Sequence, residues 1–278
     1  MSLKNAFRPQ YFGFMGAISL SLMAWTAPAQ AQNWIAQSQG SAGSERSAPS
    51  EETDKDHIIV GLGTSYMPVY QGADDYRVLP IPAIDIAWGP FFANLQNGIG
   101  VKAVDTSLFT VGASATYMAG YRRKDVPDGV DKLPIGLGAR LFATVRAGGA
   151  VATVGATKGV LNGNKGLVAD ASVSYPVRVT SRLTLIPTLT TTWADGKYND
   201  SYFGIDDNEA LRSGLPAFSA GSGFKDASAL LTASYRLDKH LILSVSGGVT
   251  TLLGNDADSP LVAHKTTPSG FASIAYRF

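Results

Sequence analysis

Leu183-Thr184-Leu185-Ile186-Pro187-Thr188-Leu189-Thr190-Thr191-Thr192-Trp193 decides the fold. Leu183, Leu185, Pro187, Leu189, Thr191 and Trp193 share one side of an extended chain, and Thr184, Ile186, Thr188, Thr190 and Thr192 share the other. Period-two alternation over about ten residues fits a strand with one face in lipid and one in a polar lumen. The pattern recurs in Leu167–Arg178, in Leu231–Leu237 and in Ile135–Arg146, where Arg140, Phe142, Thr144 and Arg146 oppose a run of Ile, Leu, Ala and Val.

Further strands are expected at 57–67, 77–88, 91–95, 99–104, 108–121, 150–158, 241–253 and 270–278. Together these make twelve strands, or ten if the two weakest, 91–95 and 99–104, drop out. The connectors alternate in length. Short turns at 88–90, 105–106, 147–149, 180–181 and 238–240 lie on the side of the chain ends and read as periplasmic. The other side carries mostly longer segments, 68–76, 96–98, 122–133, 159–165, 195–226 and 254–268, rich in Asp, Gly and Asn. A soluble sandwich has the same period but no reason to segregate loop lengths. The expected fold is therefore all-β, a closed antiparallel transmembrane barrel over residues 57–278.

The N-terminus carries Lys4 and Arg8, an apolar run from Tyr11 to Trp25 and a small-residue site at Ala29-Gln30-Ala31. Residues 1–31 read as a cleaved signal peptide. Residues 32–56, rich in Gln, Ser, Gly and charge, read as a disordered periplasmic tail. About 220 residues remain for one domain. A net charge of +1 gives nucleic acid no basic surface to bind, and zero cysteines exclude disulfides and thiolate metal sites.

No catalytic, cofactor or metal constellation is expected. Of His57, His240 and His264, only the last lies on the outer side, and nothing fixes a nucleophile beside it. The acids Asp74-Asp75, Asp206-Asp207-Glu209 and Asp256–Asp258 read as solvated loop groups, bridged to lipopolysaccharide by divalent ions, without a calcium-loop pattern. Charges within strands are more informative. Arg77, Asp85, Lys102, Arg140, Arg146, Asp170, Arg236 and Arg277 fall opposite the apolar residues, hence in the lumen, as an ion-pair network or the lining of an anion-leaning pore. In the long 195–226 segment, Tyr198, Tyr202, Phe203, Leu211, Leu215 and Phe218 are too apolar for an exposed loop and suggest an inward lid or plug. Aromatics near strand ends, Tyr66, Trp88, Tyr117, Tyr121, Tyr175, Trp193, Tyr235 and Tyr276, are expected to form interfacial girdles.

The last strand ends Ile274-Ala275-Tyr276-Arg277-Phe278, which resembles the C-terminal signature of bacterial outer-membrane proteins. Tyr276 and Phe278 would be its assembly signal, and the barrel-assembly machinery its reader. The segment Ser65-Tyr66-Met67-Pro68-Val69-Tyr70-Gln71-Gly72-Ala73-Asp74-Asp75-Tyr76-Arg77-Val78-Leu79-Pro80-Ile81-Pro82 resembles an early hallmark of the MltA-interacting protein (MipA/OmpV) family. Tyr202–Ile205, Ser213–Phe218, Gly223–Asp226, Ala233–Leu237 and Leu253–Val262 resemble later blocks, in order. The resemblance implies a non-catalytic barrel in outer-membrane lipid. It also implies a scaffold that brings a lytic transglycosylase together with a murein synthase. A narrow solute channel and an outward-facing adhesin stand as alternatives.

Overall fold

The computed structural model describes residues 56–278, so the signal-peptide reading and all but the last residue of the tail reading lie outside the described residues. Thirteen β segments form one sheet: β1 His57–Pro68, β2 Tyr76–Trp88, β3 Phe91–Asn94, β4 Gly98–Asp105, β5 Phe109–Met118, β6 Gly136–Ala147, β7 Ala150–Leu161, β8 Leu167–Ser174, β9 Val177–Arg178, β10 Leu183–Ala194, β11 Gly223–Arg236, β12 Leu241–Leu252 and β13 Thr266–Arg277. Segments β8 and β9 are two pieces of one strand, both paired with β10 and interrupted at Tyr175-Pro176, where proline lacks an amide donor. The wall thus has 12 strands. It closes where β13 pairs with β1, with Ile59 opposite Arg277 and Tyr66 opposite Gly270. Among the described residues no helix is long and apolar enough to cross a membrane, so the crossings are made by strands.

Burial follows the alternation. Leu62, Val78, Ile99, Leu141, Leu189 and Ile274 are exposed on the outer face, while Thr184, Thr188, Thr192, Thr232, Ser244, Ser246 and Thr267 are buried inside. Inside, hydroxyls bond in pairs across neighbouring strands: Thr144 with Thr153, Ser228 with Thr250 and Thr232 with Ser246, each at 2.9 Å. An outer face that reversed this order would put charge against hydrocarbon at about 2–4 kcal/mol per residue near mid-membrane. Of the expected girdle, Tyr66, Trp88, Tyr175, Tyr235 and Tyr276 are exposed on the outer face. Tyr121 departs from it: it is only 6% exposed and belongs to the interior.

The two weakest expected strands do form, as a low hairpin. β3 pairs with only Asp85–Trp88 of β2, and its tip holds Asn97 inside the barrel. The 195–226 segment is partly helical, with α1 Gly196–Phe203 and α2 Asp207–Ser213, and β11 starts earlier than expected, at Gly223. Asp195 and Asp206 cap the two helices by accepting from Tyr198 and Glu209 amides.

Candidate functional site

Loop segments from around the mouth opposite the termini converge on its interior. Tyr198, Tyr202 and Phe203 of α1 are buried with Tyr70, Ala73, Tyr121, Val126, Val130, Ile205, Leu252 and Leu261, and Leu215 and Phe218 pack against this cluster. Tyr121 meets Tyr70 at 5.9 Å and Tyr202 at 5.4 Å between ring centroids. Burial, aided by Asp75, pushes the Tyr70 hydroxyl up to about 12, and burial likewise raises Tyr121 and Tyr198. Leu211 is not part of this plug; on α2 it is 86% exposed.

A polar knot lies among these loops and the strand ends. Lys225 and Asp226 are each 3% exposed, although they are adjacent in a strand. A bulge explains it: register shifts between Thr192 and Trp193, so that Phe224 stays outward while both Lys225 and Asp226 turn inward. Lys225 Nζ pairs with Asp226 and donates to Gln71 Oε1 at 2.7 Å, and Gln71 Nε2 donates to Asp226 at 2.8 Å. The sequence reading missed this knot because strict alternation puts neighbours on opposite faces. The sequence places Asp256 among solvated loop acids, but it is 2% exposed.

The eight strand charges lie at different heights of the barrel. At the loop end, Arg77 bonds Asp125 at 3.1 Å and the Val69 carbonyl at 3.0 Å. Burial works against the Asp125 carboxylate, but hydrogen bonds from Arg122 and the charge of Arg77 outweigh it and hold its pKa below the usual range. At mid-height, Arg140 reaches over β7 to Asp170 with contacts of 2.5 and 2.9 Å, and also bonds Asn97 and Thr157 at 3.2 Å. Gly155 makes room for it: a Cβ there would stand 2.2 Å from the guanidinium. Toward the termini, Asp85 faces His57 at 3.3 Å, and Lys102 pairs with Asp105 at 3.0 Å. Thr110 links that carboxylate, at 2.7 Å, to Arg146, at 2.9 Å. Arg236 and Arg277 are half-buried at the termini rim, opposite Ile242 and Ile59.

Recesses open within the lumen. One of about 120 Å³ opens among His57, Asp85, Asn94, Lys102 and Arg146. One of about 60 Å³ lies between Arg140 and Asp170 below and Tyr198 and Lys225 above. Among the described residues no three or more His, Cys, Asp or Glu side chains are grouped to hold a metal ion.

Tyr276 and Phe278 are exposed on the outer face, and their rings meet at 4.9 Å. Among solved structures, the chain is similar to the KdgM porin, with a TM-score of 0.43 at 9% identity over 80% of this chain and 99% of that one. The NanC porin likewise gives 0.43 at 8% identity, over 79% of this chain and 98% of that one. In sequence, it is 31% identical over 119 residues to YiaT of Escherichia coli K12, a protein named for the outer membrane, and equally so to YiaT of Escherichia coli O157:H7. Those matches cover 43% of this chain and 48% of the relatives, so they align with about half the relatives' length. The family model described as MltA-interacting protein MipA matches residues 60–278, nearly the whole barrel, and the chain belongs to that family of outer-membrane proteins.

Proposed function

We propose that this outer-membrane barrel is a closed, non-catalytic scaffold whose periplasmic rim docks a murein lytic transglycosylase and, beside it, a murein synthase. In this reading residues 1–31 are removed on export, residues 32–56 form a periplasmic tail, and the termini end of the barrel faces the cell wall. The loop-bearing end faces outward, where lipopolysaccharide surrounds it. One observation carries the reading: the mouth opposite the termini is plugged by a buried aromatic cluster. A plugged mouth suits a protein that works through its rim. The family's description, MltA-interacting protein, supports the lytic enzyme as partner.

Crosslinking in intact envelopes, followed by purification of the tagged barrel, tests this reading. Recovery of a lytic transglycosylase with the barrel is the expected result. Recovery of neither a transglycosylase nor a synthase overturns it.

A second reading, a narrow solute channel, draws on the recess of about 120 Å³ with Lys102 and Arg146 in its lining. Planar-bilayer recording separates the two. The scaffold reading expects a silent protein, and the channel reading expects discrete steps.

A further inference from the structure

The segment 253–265 makes the last crossing of the loop mouth, and it is fastened to several other elements. Leu253 donates its amide to the Lys225 carbonyl at 2.9 Å, and the Asn255 side chain donates to the Ala220 carbonyl at 3.1 Å. The Ser259 hydroxyl donates to the Phe203 carbonyl at 2.6 Å, at the end of α1. Ala263 and His264 amides donate to the Gly72 carbonyl at 2.8 and 3.0 Å, and the Tyr70 hydroxyl donates to the Leu261 carbonyl at 2.8 Å. The segment therefore ties β11, α1 and the β1–β2 loop together.

Asp256 sits within it, on the 3-10 turn Gly254–Asp258. It is 2% exposed, and neither of its carboxylate oxygens has a hydrogen-bond partner. Asn199 of α1, 1% exposed, likewise has an unpartnered side-chain oxygen. Buried carboxylates are ordinarily met by several donors, so one with none needs a physical reason. An ionised group so placed is far more costly than a neutral one.

The charged groups facing it come from the elements packed on the turn. Lys225 and Asp226 face it from β11 and Asp200 from α1, and the Tyr198 hydroxyl feels its charge. Lys225 attracts it, but that ammonium is already shared between Asp226 and Gln71. Burial above all, reinforced by Asp226 and Asp200, outweighs the pull of Lys225 and raises the Asp256 pKa to about 7 from an ordinary 3.8.

We propose that Asp256 is a proton-operated latch on the plug. With its proton bound, the 253–265 segment stays seated on α1 and the β1–β2 loop. When the proton leaves, the carboxylate seeks water and the segment lifts. The raised value belongs to the closed state, so closure is fully favoured below the ordinary carboxylate pKa and weakens as pH rises toward 7. The open fraction should grow roughly tenfold per pH unit between about 4 and 7, then level off. The device acts on the plug, whereas crosslinking tests what binds the rim, so the failure of one is distinguishable from the failure of the other.

The chain has zero cysteines, so two introduced ones can carry nitroxide labels alone. Leu211→Cys on α2 and Ala263→Cys on the segment are both at exposed positions. Pulsed electron resonance of the labelled full chain in phospholipid nanodiscs should give a narrow distance distribution at pH 5 and a broadened, longer one at pH 8. Adding Asp256→Asn, which imitates the protonated side chain, should keep the narrow distribution at both values. Asp256→Ser, a second uncharged replacement, should do the same, and the heat-dependent gel shift of closed barrels reports that each variant has folded. An unchanged distribution between pH 5 and pH 8 with Asp256 present overturns the latch. So does equal broadening in a folded uncharged variant.

Discussion

Replacing Asp170 by Asn should destabilise the barrel by about 3 kcal/mol, and the geometry sets that figure. Arg140 is 6% exposed and spends two of its contacts, at 2.5 and 2.9 Å, on Asp170. Its remaining bonds, to Asn97 and Thr157, are longer at 3.2 Å and go to neutral groups. Removing one partner of a buried pair costs about 3–5 kcal/mol because the other charge is left without compensation. The Asp170 side chain is 17% exposed, so water reaches that end of the pair and favours the lower end of the range. A surface pair would give about 1 kcal/mol or less. Urea unfolding in phospholipid vesicles, followed by tryptophan fluorescence, measures the difference. The double variant Arg140→Met with Asp170→Leu removes both charges and should return to within about 1–2 kcal/mol of the parent. If Asp170→Asn costs less than about 1 kcal/mol, or if the single losses simply add in the double, the pair does not behave as a buried one.

Gly155→Ala should cost about 2 kcal/mol in the same assay, because the new methyl would displace a guanidinium held by four contacts. Lys225→Met leaves the buried Asp226 without its cation, and should expose the plug to added protease while the wall still shows the gel shift of a closed barrel. The lowered pKa of Asp125 gives the β5–β6 loop a stability that is present above the ordinary carboxylate value and lost as pH falls through the lowered one. In the Asp256→Asn background, which keeps the plug closed, hydrogen exchange at 119–135, corrected for intrinsic rates, should therefore quicken in acid and be unchanged between pH 6 and 8. Phe278→Ser should lower the amount of barrel assembled in cells, while protein refolded in detergent still shows the gel shift of a closed barrel, since the ring is 76% exposed and packs against no buried core.

The wall was legible because its physics is local. One residue in two faces lipid, so Leu183–Trp193 declares its two sides without reference to any other strand, and twelve such declarations with alternating connectors make a closed barrel. The plug was legible only in outline. Tyr198, Tyr202 and Phe203 announce that their segment must hide, but which loops they meet depends on contacts made across the mouth, such as Gln71 with Lys225, 154 residues apart. Two features were invisible for definite reasons. The bulge opposite Thr192 and Trp193 breaks the parity rule where it matters, carrying Lys225 and Asp226 inward together. Asp256 has the composition of a solvated loop, and only the folding of 253–265 over α1 buries it.

Wall and plug are held by different forces, and that difference bears on what the protein can do. The wall is a continuous ladder of antiparallel strands whose opening would leave backbone groups unpaired in hydrocarbon, at several kcal/mol each. The plug is held by apolar contacts, by the Lys225–Asp226–Gln71 knot and by a handful of loop hydrogen bonds next to water. Its opening exposes groups that water can satisfy, so it needs far less free energy than any breach of the wall. The loops can therefore rearrange as a unit on a rigid frame, and a change there leaves the rim at the termini end in place. A protein built this way can respond at its loop end while the rim at the termini end keeps its shape.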